Sequence, residues 1–463
     1  MSLAFQVDEL QVRAGHNVLI DALSLSLKAG EALTLLGESG AGKSLLAQAI
    51  MGNLPSGLRA SGQVRVGQHT SPAGEGAKRR PLWGRQIGLL PQEPWLALDP
   101  TMRVRDQVAE THALVTAVRW PEARTRAAHD LDAIGLAHAR DHYPHQISGG
   151  MAQRVAFAAV HAGAAPLLIV DEPTKGLDAA LRDDVVALLQ QTLAEGGAVL
   201  TITHDVAVAR ALGGSIAVMQ QGQIVEQGDA ASVLNAPAHA YTRALLAAEP
   251  ARWPDRPPTQ IGQCLIQGRK LGKRFGHRLL FEQLDIHIHA GERLAIQGGS
   301  GSGKTTLGNI LLGLIAPDHG EVLRAPGLPR QGLQKLYQDP AAAFAPRLSL
   351  GQALRDLIRL HRLDGRELGP LLTRLRLSPS LLERLPGQVS GGELQRIALA
   401  RLLLLKPAVI FADEPTSRLD PLTQQETLTL LADTAETHGC ALVLVTHDPD
   451  IATRLTSTQL QMP

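Results

Sequence analysis

The chain has 463 residues, 44% of them hydrophobic. That is too long for one ordinary core and apolar enough to fill two of roughly 200 residues each. Its 45 basic and 44 acidic residues nearly cancel, which argues against a protein that grips nucleic acid by neutralising phosphates. Cys264 and Cys440 are the only cysteines and lie in different halves, so neither a disulfide framework nor a cysteine-only metal or cluster site is expected. The N-terminus carries Asp8 and Glu9 where a signal peptide would be basic and then apolar. The densest apolar stretch, 402–412, is broken by Lys406 and Pro407 and falls short of the roughly 18 residues of a spanning helix. Any membrane contact is expected through partners.

In chain order, the first apolar run, 32–36, predicts a strand leading into Gly37-Glu38-Ser39-Gly40-Ala41-Gly42-Lys43-Ser44. Such a loop between strand and helix wraps phosphates with backbone N–H groups, aided by the helix dipole. Lys43 would neutralise the β- and γ-phosphates, and the Ser44 hydroxyl would coordinate Mg²⁺, a hard cation that prefers oxygen. The stretch 71–80, rich in Pro, Gly and basic residues, reads as a surface loop. Ile147-Ser148-Gly149-Gly150-Met151 follows, then an apolar run ending in Asp171 and Glu172. Asp171, at the C-terminal edge of a buried strand, would hold Mg²⁺ through water. Glu172, taken to point to the other strand face, would orient and deprotonate the attacking water. A further strand, 199–203, ends at His204, within reach of a γ-phosphate.

The segment 250–258, rich in Pro and Arg, predicts an extended linker, and domains are expected over 1–249 and 264–463 with the linker at 250–263. Beyond it every motif recurs in the same order. The phosphate loop returns as Gly298-Gly299-Ser300-Gly301-Ser302-Gly303-Lys304-Thr305, and the serine-glycine motif as Val389-Ser390-Gly391-Gly392-Glu393. The acidic pair returns as Asp413 and Glu414, and the histidine as His447. One domain has been duplicated. Strands alternating with longer helical stretches indicate an α/β core with a mainly parallel sheet.

Together these motifs resemble the ATP-binding-cassette superfamily over nearly the whole chain. The resemblance implies two P-loop NTPase domains in tandem, each with a mainly parallel core sheet, an antiparallel β part and a helical subdomain. It implies ATP and Mg²⁺ as cofactors and ATP hydrolysis as the activity. It makes Gln92 and Gln338 the glutamines that touch the metal and communicate with membrane subunits, and Asp178 and Asp420 the aspartates of the D-loops. It implies an intramolecular dimer in which Ser390, Gly391 and Gly392 cap the ATP held by Lys43, and Ser148, Gly149 and Gly150 the ATP held by Lys304. With both glutamates and both histidines present, two hydrolysing sites are expected. Phe275 takes the place of the aromatic that stacks on adenine; its first-half counterpart is Ala14.

Gln92-Glu93-Pro94 with Leu98-Asp99-Pro100, and Gln338-Asp339-Pro340 with Phe344-Ala345-Pro346, resemble the segment after the glutamine in dipeptide, oligopeptide and nickel importers. His239-Ala240-Tyr241-Thr242-Arg243 is similar to the tail of that group, and no iron–sulfur cluster is expected without its cysteines. This resemblance implies uptake of peptides, nickel or a metal-chelate through two integral membrane permease subunits, with a solute-binding protein as an indirect partner. It places the chain peripherally on the cytoplasmic face of the bacterial inner membrane, with no nucleic acid bound. A soluble translation factor of the same superfamily, or the ATPase of an exporter, is the alternative.

Overall fold

The computed structural model describes residues 3–93, 97–174, 179–276, 278–299, 301–417 and 419–462. It divides into two units, one ending at Leu246 and the other starting at Ala247.

The first unit opens with two long strands, β1 (Leu3–Ala14) and β2 (Asn17–Lys28), joined as a hairpin. β2 alternates, with Leu23, Leu25 and Leu27 buried and their neighbours exposed, as a sheet covered on one face requires. With β4 (Leu58–Val66) and β5 (His69–Pro72) these form an antiparallel sheet ordered β2-β1-β4-β5. The second sheet contains β3 (Ala32–Leu36), β6 (Ile87–Leu90), β7 (Leu167–Asp171), β8 (Ala198–Thr203), β9 (Ser215–Gln220) and β10 (Gln223–Asp229), ordered β10-β9-β3-β8-β7-β6. All neighbours in it pair in parallel except β9 and β10. β3, β7 and β8 are buried at every residue. Their mainly apolar sequences follow from cover on both faces.

Side-chain alternation divides these strands between two cores. Leu167, Ile169 and Leu200 join β1, β2 and the helix α1 (Lys43–Met51). Leu168, Val170 and Val199 join a helical layer made by α2 (Val104–Leu114), α3 (Trp120–Ala133) and α4 (Gly149–His161). α5 (Ala179–Ala194), α6 (Val206–Leu212), α7 (Ala230–Asn235) and α8 (Ala240–Ala247) follow.

The stretch 71–80 lies largely at the surface, as its composition suggests, but it is not a plain loop. It continues β5 into a tight helical turn, Gly76–Leu82, and Arg79 is buried at 1% exposure. The guanidinium donates to Ser71 Oγ and to the carbonyls of Pro72, Ala49 and Ala73 at 2.8–3.0 Å. These acceptors offset the desolvation of the charge.

The second unit repeats the plan. β11 (Cys264–Phe275), β12 (Arg278–His289) and β14 (His319–Arg324) form an antiparallel sheet ordered β12-β11-β14. β13 (Arg293–Gln297), β15 (Leu333–Leu336), β16 (Val409–Asp413), β17 (Ala441–Val445) and β18 (Thr458–Gln461) form a parallel sheet ordered β15-β16-β17-β13-β18. Helices α9 (Lys304–Leu311), α10 (Leu350–His361), α11 (Leu368–Arg374), α12 (Gly391–Leu403), α13 (Pro421–His438) and α14 (Pro449–Leu455) complete it. No helix among the described residues is long and apolar enough to cross a membrane.

The Pro- and Arg-rich segment keeps an irregular path, yet it is anchored on the second unit. Trp253 joins that unit's core, Arg454 pairs with Asp255 at 2.6 Å, Arg256 pairs with Asp433 at 2.7 Å, and Arg293 donates to the Pro257 carbonyl. Proline removes backbone donors, and arginine side chains make most of these docking contacts.

Candidate functional site

In each unit the phosphate loop joins a central strand to a helix, β3 to α1 and β13 to α9. Only glycine fits at its tightest points. A Cβ on Gly37 would lie 2.3 Å from the Met219 carbonyl oxygen, and Gly42 and Gly303 take φ of 101° and 96° immediately before the helix. Gly40 and Gly301 also have positive φ, and Gly298 turns at φ 150°. Ser39 lies at the turn of the first loop, and Ser300 lies outside the described residues.

Both loop lysines are buried and fold back over their loops. Lys43 Nζ donates to Gly37 O and Glu38 O at 2.7 and 2.9 Å; Lys304 Nζ donates to Gly298 O and Gly299 O at 2.8 and 3.0 Å. Each ammonium thus lies over the loop whose backbone N–H groups would face a polyphosphate.

Asp171 and Asp413 are buried last residues of β7 and β16. Thr305 Oγ1 donates to Asp413 Oδ1 at 3.0 Å, bringing together the hydroxyl and carboxylate that Mg²⁺ coordination would use. Ser44 follows Lys43 in the same first turn of α1. The donors in both halves are hard oxygens and fit that ion.

The glutamates do not follow strand alternation. Each lies just beyond its strand in left-handed backbone, Glu172 at φ 51° and Glu414 at φ 44°. Each N–H still extends the parallel ladder, Glu172 to Ile202 O at 2.7 Å and Glu414 to Val445 O at 3.1 Å. A non-glycine residue held there costs about 1–3 kcal/mol and marks a side chain aimed by its backbone. The turn, and not the strand face, therefore sets where the carboxylate points.

Each glutamate meets the histidine at the end of the next strand. His204 Nδ1 lies 2.8 Å from Glu172 Oε2, and His447 Nδ1 lies 3.6 Å from Glu414 Oε1. The next residue in each case, Asp205 or Asp448, caps the following helix through its side chain. The histidine is therefore pinned between strand and helix. Burial would raise the Glu414 carboxyl, but the His447 ring and the Lys304 ammonium outweigh it and hold it below its ordinary value. The Glu414 carboxylate raises His447, with burial opposing.

Gln338 reaches the same centre, Nε2 donating to Glu414 Oε2 at 3.0 Å. Gln92 holds the matching place after β6, partly buried.

Ser148 and Ser390 cap α4 and α12. The Ser390 N–H also donates to Glu393 Oε2 at 2.8 Å, completing a reciprocal cap that the first half, with Met151, does not share. Gly149, Gly150, Gly391 and Gly392 form the first turns, and a Cβ on Gly392 would strike Thr423 at 2.5 Å. Asp420 caps α13, accepting from the Thr423 N–H and hydroxyl. Asp178 lies outside the described residues. Phe275 ends β11 and is 56% exposed, while Ala14 ends β1 at the equivalent hairpin position.

Two contacts at these sites have no motif to announce them. Tyr241 in α8 accepts a hydrogen bond from the Glu38 N–H of the first phosphate loop at 2.9 Å. Lys335 in β15 pairs with Asp413 Oδ2 at 2.9 Å. The second sits in a short mixed strand, Leu-Gln-Lys-Leu, that gives no signal of it; the first joins residues too far apart in sequence to show a pattern.

Comparison with known proteins agrees with this geometry. The family model described as ABC transporter matches residues 20–175 and 281–417. An Escherichia coli K12 protein named "Uncharacterized ABC transporter ATP-binding protein YejF" is 34% identical over 96% of this chain and 90% of its own length. The "Peptidoglycan transport ATP-binding protein YejF" of Agrobacterium fabrum is 34% identical over 96% of this chain and 88% of its own. The "Glutathione import ATP-binding protein GsiA" of Salmonella typhi is 34% identical over 98% of this chain and 82% of its own. A solved structure of an archaeal ribosome recycling factor, aABCE1, in complex with a stalk protein shares the fold at a TM-score of 0.68, 22% identity and coverage of 98% of this chain and 87% of that one. The chain belongs to the ABC transporter family of ATP-binding proteins and is a tandem ATPase of that family.

Proposed function

We propose that this chain powers an importer of peptide-type solutes, working on two integral membrane permease subunits at the cytoplasmic face of a bacterial inner membrane. The observation that carries this reading is the 34% identity, across both halves, to relatives named for glutathione import and peptidoglycan transport. Nickel or a metal-chelate, which the sequence pattern also allowed, has no such support in those names. A solute-binding protein would deliver the cargo, and the cargo would never touch this chain.

Within each half, Lys43 or Lys304 would hold the β- and γ-phosphates. Ser44, Asp171 and Gln92, or Thr305, Asp413 and Gln338, would hold Mg²⁺, which supplies charge neutralisation for the transferred phosphoryl group. Glu172 and Glu414 would orient the attacking water and take its proton. His204 and His447 fix those carboxylates and would face the γ-phosphate. Ser148 and Ser390, with their glycines, would present helix N-termini to the nucleotide of the opposite half, with Asp178 and Asp420 beside them. Phe275 would stack on adenine at the second site. Closure on ATP and reopening after hydrolysis would then drive alternating access.

The test is gentle solubilisation of membranes from cells carrying the tagged chain, with mass spectrometry of what co-purifies. Two polytopic permeases together with a solute-binding protein support the reading. Ribosomes without any membrane protein would overturn it.

A further inference from the structure

The second half carries a buried cation where the first has an aliphatic residue. β15 pairs with β16 so that Lys335 stands opposite Phe411, and β6 pairs with β7 so that Leu89 stands opposite Ile169. The two positions are equivalent, each three residues before the glutamine, Gln338 or Gln92. Lys335 Nζ lies 2.9 Å from Asp413 Oδ2, both side chains being only 8% exposed. It also donates to Asn309 Oδ1 at 3.0 Å. The rings of Tyr337 and Phe411 stand 5.4 and 5.8 Å from the ammonium, a distance at which their faces attract it. Asp413 Oδ1 is meanwhile taken by the Thr305 hydroxyl at 3.0 Å. Both oxygens of the carboxylate are thus engaged by the chain's own groups.

A carboxylate attracts a divalent ion by its charge, and an ammonium within hydrogen-bond distance cancels that charge. We infer that Lys335 is a resident cation of the second nucleotide site that competes with magnesium for Asp413, so that the second half holds ATP with weaker dependence on the metal than it would with an aliphatic residue at position 335. The inference rests on the reading that both halves take ATP with Mg²⁺.

The test uses the full chain and a fluorescent ATP analogue, titrated with Mg²⁺ and again with EDTA. The Lys43→Ala chain reports the second site with Lys335 untouched, and the Lys304→Ala chain reports the first. Magnesium should tighten binding less than about threefold at the second site, and adding Lys335→Leu to the Lys43→Ala chain should raise that gain to about tenfold. A gain at the second site that does not respond to Lys335→Leu would overturn the inference and leave Mg-ATP binding standing. No metal effect at the first site or in the chain carrying Lys335→Leu would overturn the Mg-ATP reading itself.

Discussion

His204 Nδ1 stands 2.8 Å from Glu172 Oε2, while Lys43 Nζ lies 3.8 Å from the other oxygen of the same carboxylate. The first-half glutamate thus lies between ring and ammonium. In the second half the ring is further off, at 3.6 Å, and Gln338 holds one glutamate oxygen at 3.0 Å. The parts are the same and their couplings differ, which makes several consequences measurable.

The Glu414–His447 pair should leave a pH signature. Glu414 is held below its ordinary 4.5, so its contribution to stability is present above that value and is lost as pH falls through the lowered one. His447 is raised above its ordinary 6.5, so its contribution is present below 6.5 and is lost as pH rises through the raised value. The stability gap between the wild type and His447→Gln should therefore peak between pH 4.5 and 6.5. Denaturant midpoints across pH measure it, and a gap that keeps growing in alkali would refute the coupling.

Tyr241 ties helix α8 to the first phosphate loop through the Glu38 N–H. Tyr241→Phe removes one neutral hydrogen bond, worth about 1 kcal/mol. ATP affinity at the first site should fall about threefold to tenfold, with the second site unaffected. Calorimetric titration of a Lys304→Ala chain isolates the first site, and an unchanged affinity there would show that the tie does not order the loop.

Arg79 should be essential to the first unit's stability. Arg79→Leu strands the carbonyls of Ala49 and Ala73, which it satisfies while buried. Leaving buried carbonyls without their donor costs about 1–3 kcal/mol each. The first unit's unfolding transition should drop by that amount while the second holds, and a loss below about 1 kcal/mol would mean that the turn collapses without cost.

The two thiols should differ widely in reactivity. Burial pushes Cys440 up to about 11, whereas Cys264 is exposed. The thiolate is the reactive species. A thiol reagent at neutral pH should label Cys264 rapidly and Cys440 only on unfolding, and equal labelling rates in the native chain would contradict the burial of Cys440.

The parts of the candidate site were legible in the sequence because each is a short local pattern whose chemistry demands its residue types. A glycine loop before a helix, a carboxylate pair after an apolar run and a histidine after the next strand all survive as strings. What the sequence hid is carried by contacts between distant residues. The stretch 71–80 looks like a loop by composition, yet Arg79 turns inward onto carbonyls that composition cannot show. The run 250–258 looks like a free linker until Trp253 finds the second core. Lys335 is one of nine lysines, unmarked until the β15–β16 register places it on Asp413. The left-handed turn at Glu172 and Glu414 was equally invisible, because glutamate carries no mark of positive φ as glycine does.

Steady-state ATP turnover of Glu172→Gln and Glu414→Gln, each alone and together in the full chain, tests most directly the claim that both halves hydrolyse. Removing a general base slows its own site about 10²–10⁴-fold. Each single variant should therefore lose at least about half the turnover, more if the sites fire together, and the double variant should fall to background. A single variant that keeps the full rate would show that its half does not hydrolyse and would contradict the account.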